Sequence, residues 1–267
     1  MAFQINTNLD AFNAYNALAK TSAQTAKAQL RLATMKRINS VADDTSGFKV
    51  GKELEGSNLI MKAQLNNVSS GQNWLSTAES ALTLVNDKLI QIAAKQQDAN
   101  DPLKSRDSLT ADVKAIAEEI DSILHSTGIN GNNVFADALA SFGVGGATGA
   151  LGINIGEKLD LTATNQAVID DLKAGDADTL GTSIGSLFTA VSDALGYVGN
   201  NMQVLESKQE YLTSAIANNT ATISRLFDAD MAMEQLNATK GQIGTQIGTA
   251  MLATLNAAPQ NILSLFR

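Results

Sequence analysis

Histidine and cysteine do most side-chain chemistry near neutral pH, and this chain of 267 residues has one of the former and none of the latter. A single His125 cannot supply a paired-histidine metal site or a His-Glu-x-x-His centre. A serine triad would have to be built on His125, near the end of an amphipathic stretch, where a surface or capping role is the better reading. The neighbouring carboxylates Asp43 and Asp44 could hold a cation, but they stand just before a long apolar-periodic run, which favours capping it. The run from Gly143 to Gly149 lacks the Gly-Lys-Ser/Thr ending of a phosphate loop and the spacing of a dinucleotide fingerprint, so it reads as a loop. Trp74, the one tryptophan, falls one position before an apolar seam, where packing is the expectation. The residue types point away from an enzyme, and no catalytic, metal or cofactor-binding residue is assigned.

The elements that would carry these residues are long helices. Ile5, Leu9, Phe12, Asn16, Ala19, Ala23, Ala26, Leu30 and Ala33 keep an unbroken four-three spacing. Near the other end Leu236, Lys240, Ile243, Ile247, Ala250, Thr254 and Ala257 do the same, and Leu252, Ile262, Leu263, Leu265 and Phe266 continue the apolar text. Such a stripe on a helix needs another helix to cover it. Because chain ends are ordinarily polar, these two are expected to pair with each other or with other copies, which favours an assembly protein. Gly241, Gly244 and Gly248 lie along one side of the last helix. They are either tolerated weak points, each about 1 kcal/mol poorer than Ala, or places where another backbone comes close. Such a helix is expected to fold fully only on assembly.

Between the ends, four-three spacing runs from Val50 to Ile92 through Val68, Leu75, Leu82 and Leu89, and predicts a rod. Asn100-Asp101-Pro102 is expected to end it and open the next helix, whose seam is Leu109, Val113, Ile116, Ile120 and Ile123, with Gly128 as its C-terminal cap. Leu151, Ile153 and Ile155, then Leu159 and Leu161, alternate as short strands of a hairpin would. From Leu180 helical spacing returns through Leu187, Val191, Val198, Leu205 and Leu212. The layout is palindromic, so the two halves should lie side by side. The expected fold is mainly α, a long antiparallel coiled-coil bundle of paired N- and C-terminal segments with a small β-hairpin region in the middle.

A net charge of −8 with no basic stripe argues against nucleic acid. The opening Met-Ala-Phe-Gln-Ile-Asn lacks the pattern of a Sec signal, and no run approaches membrane-span length. Either a cytoplasmic protein or one exported by a route without a cleavable signal fits.

At the two breaks the text becomes specific. Arg37-Ile38-Asn39-Ser40-Val41-Ala42-Asp43-Asp44 with Gly47, the opening Ile5-Asn6-Thr7-Asn8, the segment Ser224-Arg225-Leu226-Phe227-Asp228-Ala229-Asp230-Met231-Ala232 and the closing Pro259-Gln260-Asn261-Ile262-Leu263-Ser264-Leu265-Phe266-Arg267 closely resemble the signatures of bacterial flagellins. The resemblance implies a structural subunit of the flagellar filament that serves motility, exported unfolded and assembling with other copies of itself. It implies an inner coiled-coil core from residues 1–33 with 233–267, junctions at 34–47 and 224–232, and an outer core over 48–223 with a hairpin and loop around 129–178. No large surface domain is expected in so short a middle. The inner-core and polymerisation seam would be Ile5, Leu9, Phe12, Leu30, Leu236, Ile243, Ile247, Leu252, Ile262 and Leu265. The junction and capping set would be Arg37, Asn39, Asp43, Asp44, Arg225, Asp228 and Asp230. Partners implied are the flagellar export apparatus, an export chaperone, and the filament cap and hook–filament junction proteins, with no nucleic acid and no membrane insertion. The implied location is a secreted filament, external or periplasmic. Many members of the family carry an arginine-rich stretch at the end of the long helix that an innate immune Toll-like receptor binds; here Gln91, Ala93 and Lys95 stand in it without an arginine. The alternatives are a hook–filament junction protein, with similar terminal patterns, and a soluble helical enzyme or binding module.

Overall fold

A computed structural model of the chain describes residues 8–101, 103–136, 140–144, 150–159, 169–170 and 180–265. Among them are six helices: α1 (Leu9–Thr34), α2 (Thr45–Asp98), α3 (Arg106–Ser126), α4 (Ile155–Leu159), α5 (Leu180–Phe227) and α6 (Met231–Leu265). Strands β1 (Gly128–Ile129) and β2 (Asn132–Asn133) pair antiparallel, as do β3 (Ala140–Phe142) and β4 (Leu151–Ile153). The chain forms two compact units, Met1–Asn58 with Ala217–Arg267, and Leu59–Ile216. No described helix is long and apolar enough to cross a membrane.

In the Leu59–Ile216 unit the seams of α2 and α5 fall where expected, whereas on α3 Ala117 and Leu124 take the buried positions and the expected Leu109, Ile116 and Ile123 are only partly buried. Val68, Leu75, Ala78, Leu82, Val85, Leu89 and Ile92 of α2 are buried, as are Val113, Ala117, Ile120 and Leu124 of α3. Ile184, Leu187, Val191, Ala194, Val198, Leu205 and Leu212 of α5 complete the same core. Burying one such branched side chain contributes roughly 1.5–3 kcal/mol, which makes this packing the main source of the unit's stability. Across α2 and α3, Lys88 pairs with Glu119 at 2.7 Å and Lys95 with Asp112 at 2.6 Å, one heptad apart on each helix and running in opposite directions. Trp74 is half-buried and meets Phe142 edge-on, with ring centroids 6.4 Å apart.

Three local expectations are corrected. Ser105, not the Asn100-Asp101-Pro102 run, caps α3, its hydroxyl accepting from Ser108 N–H at 3.5 Å. Asp101 instead closes the preceding turn, accepting from Leu103 N–H at 3.0 Å; Pro102 lies outside the described residues. Gly128 is not a left-handed cap. It starts β1, where a Cβ would fall 2.7 Å from the Asn132 carbonyl oxygen, and the last turn of α3 is closed by the Asn133 amide, which donates to the Leu124 and His125 carbonyls at 3.0 and 2.6 Å. The β1–β2 turn is made by Asn130 and Gly131, with φ of 51° and 80°, the left-handed pair that a two-residue hairpin turn needs. Residues 155–159 form a helical turn and not a strand. Ile155 and Leu159 are four apart and both buried, so one helical face satisfies the pattern that alternation also fitted. Leu161 lies outside the described residues.

Candidate functional site: the terminal helix pair and its junction

Helices α1 and α6 pack against each other along most of their lengths. The contacts run antiparallel: Arg31 with Glu234, Thr25 with Gly241, Thr21 with Gly244, Leu18 with Gly248 and Asn8 with Leu255. On α1 the inward positions are Ala11, Ala14, Leu18, Thr21, Thr25 and Ala28; on α6 they are Glu234, Ala238, Gly241, Thr245, Gly248, Leu252 and Leu255. Both sets keep heptad spacing, but they consist mostly of small residues. A Cβ on Gly241 would lie 2.0 Å from the Thr25 hydroxyl oxygen, and one on Gly248 would lie 2.9 Å from Leu18 Cδ1. The space a side chain would take at each glycine is filled by Thr25, Thr21 or Leu18 of α1, so the glycines serve close packing of the pair rather than standing as tolerated weak points. Thr25 is only 7% exposed, and its hydroxyl donates back to the Thr21 carbonyl at 2.8 Å. That local bond removes the polar cost of placing a hydroxyl in the seam.

The bulky stripe expected from the sequence lies elsewhere on both helices. Leu9, Phe12 and Leu30 of α1 and Leu236, Ile243 and Ile247 of α6 are all exposed, Phe12 at 61% and Ile247 at 55%. Leu252 is the exception, half-buried at an inward position. Ile262 and Leu265 belong to the last turns of α6, with side chains outside the described residues, and Ile5 also lies outside them. The pair thus turns mostly small residues inward, Leu18, Leu252 and Leu255 apart, and leaves most of its large apolar ones outward. Isolated exposed apolar residues are ordinary, but a continuous stripe of them marks an interaction surface.

At one end the pair is pinned by polar groups. Asn8 caps α1, accepting from Ala11 N–H at 3.0 Å, while its amide donates to the Leu255 carbonyl at 2.9 Å. Near the other end, Arg31 binds the 8%-exposed Glu234 at 2.9 Å. Breaking such a pair strands a buried charge.

Beyond Arg31 the two breaks meet. Met35 ends α1 in the left-handed conformation (φ 57°). Lys36 then forms an antiparallel bridge with Asp228, flanked by Arg37 N–H to the Phe227 carbonyl at 2.6 Å and Ala229 N–H to the Met35 carbonyl at 3.1 Å. Arg37 adds a guanidinium bond to the Leu226 carbonyl at 3.0 Å, and the Asn39 amide donates to the Lys36 carbonyl at 2.9 Å. Asp43 gathers the loop: its carboxylate accepts from the Asn39 and Ser40 N–H groups at 3.1 Å each and pairs with Lys27 at 2.6 Å. The Lys27 ammonium, then the Asn39 N–H, holds the Asp43 carboxyl well below its usual range. Asp44 caps α2 through Gly47 N–H at 2.9 Å. A Cβ on Gly47 would sit 2.5 Å from that carboxylate, which explains a glycine three residues after the Asp pair. Asp230 caps α6 through the Ala232 and Met233 N–H groups at 3.0 and 3.1 Å, and Asp228 accepts from the Ser224 hydroxyl. Of the junction set, only Arg225 stays outside this network, exposed and with no ion pair among the described residues.

Sequence reasoning missed the apolar centre of the junction. Phe227 is 3% exposed and seats its ring on α2 at Gly51, where a Cβ would lie 1.6 Å from Phe227 Cε2. Phe48 is 6.3 Å away centroid to centroid, the Lys36 ammonium stands 5.7 Å over the ring, and Ile38 is buried with its Cδ1 3.0 Å from where a Cβ on Gly47 would lie. The available signal was a glycine adjacent to the stripe position Val50. The roles of Lys27, Arg31 and Glu234 had no local signal, because each partner is distant in sequence. His125 is exposed, with Nδ1 3.1 Å from Asp121 Oδ1. Among the described residues no three His, Cys, Asp or Glu side chains group as a metal site would need.

These features define a class: a helical structural protein, folded back so that its two terminal segments pair, with an apolar stripe along each paired helix. Two family models cover most of the chain, the bacterial flagellin N-terminal helical region over residues 5–140 and the bacterial flagellin C-terminal helical region over 182–266. The chain is 28% identical to the flagellin of Halalkalibacterium halodurans, with 98% of this chain and 99% of that one aligned. It is 28% identical to flagellin FlaB1 of Treponema pallidum over 98% and 99%, and 27% identical to the flagellin of Bacillus subtilis over 99% and 100%. The chain belongs to the bacterial flagellins. It is a structural subunit of the flagellar filament and not an enzyme.

Proposed function

We propose that this flagellin polymerises through the outward stripes of its terminal helix pair: Leu9, Phe12 and Leu30 on α1, and Leu236, Ile243 and Ile247 on α6. The observation that carries this is the inversion of size across the pair. Small residues meet inside one molecule, so the apolar area that would stabilise a helix is left for other copies to cover. A surface that is not self-complementary adds copies head to tail, and grows an open helix when the rotation between copies does not close a ring. Leu252 stabilises the pair itself, and Ile5, Ile262 and Leu265 extend the same assembly region. The junction set from Arg37 to Asp44, with Asp228 and Asp230, fixes how the pair joins the rest of its unit, and residues 48–223 serve as the outer core.

Export in an unfolded state through the flagellar secretion channel accompanies this reading, with an export chaperone before passage and contacts to the cap and hook–filament junction proteins at the filament ends. A chain without cysteine forms no disulfide that would obstruct such passage. Residues Gln91, Ala93 and Lys95 make it a poor ligand for the innate receptor of flagellin, and Lys95 is already held by Asp112. Negative-stain microscopy of purified protein, given a precipitant or short filament seeds, tests the central claim. Long uniform filaments are expected from the wild type and none from an Ile247→Asp variant; filaments of equal length from both would overturn the stripe assignment.

A further inference from the structure

Of the six methionines among the described residues, four have exposed side chains: Met35, Met231, Met233 and Met251. Their placement is not scattered. Met35 is the left-handed residue that ends α1, and its carbonyl accepts from Ala229 across the junction bridge. Met231 and Met233 stand in the first turn of α6, on the other side of that bridge. Met233 also begins the outward stripe of α6, which continues through Leu236, Ile243 and Ile247 to Met251. By contrast Met61 and Met202 are partly buried against the core of the other unit.

We propose that these four thioethers are an oxidation site that controls assembly; the inference rests on the outward stripes being the polymerisation surface. The co-reactant is a hydroperoxide such as hydrogen peroxide. A sulfur lone pair attacks one peroxide oxygen, the O–O bond breaks, and a sulfur–oxygen bond forms. The other oxygen leaves as water after proton transfer, so sulfur is oxidised by two electrons and the peroxide is reduced. The chain has no thiol to intercept the oxidant first. The product replaces a soft apolar side chain with a polar sulfoxide on the α6 stripe at Met233 and Met251, where another copy would have to cover it, and beside the junction bridge at Met35 and Met231.

The test treats purified monomer with hydrogen peroxide, maps the added oxygen by peptide mass spectrometry, and follows elongation of filament seeds. Met35, Met231, Met233 and Met251 gain oxygen before Met61 and Met202, and elongation slows by roughly tenfold or more, the effect of leaving one buried acceptor unsatisfied. Methionine sulfoxide reductases restore the rate. A variant with all four replaced by leucine elongates equally well before and after peroxide. Oxidised protein that elongates at the untreated rate would overturn the inference, as would earlier oxidation of Met61 and Met202. If untreated protein does not elongate, the filament reading fails, while the order of oxidation still decides whether the four sulfurs are the reactive set.

Discussion

Thr25 and Gly241 meet across the terminal helix pair with no room for a methyl group between them, since a Cβ on Gly241 would lie 2.0 Å from the Thr25 hydroxyl oxygen. The close approach is matched by the Thr25 hydroxyl turning back onto its own helix at 2.8 Å. Two helices can therefore come together on small residues and keep their large ones free.

Gly241→Ala sets two effects against each other. Helix propensity gains about 1 kcal/mol, while overpacking loses about 1–3 kcal/mol. The steric effect should win, because the obstructing atom sits on a short, β-branched and buried side chain. Amide hydrogen exchange across α1 and α6 is expected to speed up in Gly241→Ala and to return toward wild type in the double variant with Thr25→Ala. Slower exchange in the single variant would show that the helices separate without loss.

At the junction, Gly51→Ala drives a methyl group into the Phe227 ring, 1.6 Å from its nearest atom. A ring held between Gly51, Phe48 and Lys36 has little freedom to withdraw, and a loss of about 1–3 kcal/mol is expected. Urea denaturation followed by circular dichroism measures it. Gly56→Ala is the control, since nothing lies within 4 Å of a Cβ there.

Charge substitutions separate assembly from folding. Ile247→Asp places a carboxylate on the exposed stripe and should abolish seeded elongation while shifting monomer stability by only about 0.5 kcal/mol. Leu252→Asp faces α1 and should also loosen the pair, visible as lost helical signal. Equal monomer stability in the two variants would contradict the assigned inward and outward faces.

The pH dependence of the junction follows from Asp43. Its carboxyl is held below the usual range in the folded protein, so it binds fewer protons than the unfolded chain does in acid. Its contribution is fully present above about pH 5 and declines as the pH falls through the ordinary carboxylate value toward the folded one. Asp43→Asn should therefore be less stable than wild type at pH 7, with the gap narrowing below about pH 4. Denaturant midpoints measured from pH 3 to pH 7 check the sign, and a gap that widens in acid would refute it.

Endotoxin-free monomer should activate the innate receptor of flagellin weakly in a reporter-cell assay. A guanidinium cannot be replaced by the amide of Gln91 or the methyl of Ala93, and Asp112 beside Lys95 keeps that ammonium charged but engaged. Potent signalling would count against the assignment; Gln91→Arg tests whether a planar cation raises it.

How much of this was legible depended on which residues carry the packing. Along α2 and α5 the buried heptad positions are filled mostly by large side chains, so the spacing of Val68, Leu75, Leu82, Leu187 and Leu205 marked both the helix and its inner face. Along α1 and α6 two stripes of equal period exist. The bulkier one drew attention, although the helices meet on Ala, Thr and Gly. Size alone cannot say which stripe faces a helix of the same chain and which faces another copy. The Asp44 cap was readable from its position, whereas the bond from Lys27 to Asp43 and the seat of Phe227 on Gly51 depend on tertiary approach. Residues 155–159 misled because two buried positions four apart fit a helical turn as well as a longer alternation.

The hydrogen bond between Asn8 and the Leu255 carbonyl closes a loop of 247 residues. The entropy of such a closure rises only with the logarithm of its length, by about 0.6 kcal/mol per doubling, but contacts this far apart in sequence are slow to find each other. Within the Leu59–Ile216 unit the α2–α3 pairs Lys95–Asp112 and Lys88–Glu119 span only 17 and 31 residues, whereas the α2–α5 bond between Gln72 and Gln209 spans 137. The topology therefore grades the search: the α2–α3 pair is local, α5 returns over a longer loop, and the terminal pair closes the longest one on mostly small residues. The surface proposed to take up other copies thus lies on the helices whose mutual contact spans the greatest length of chain.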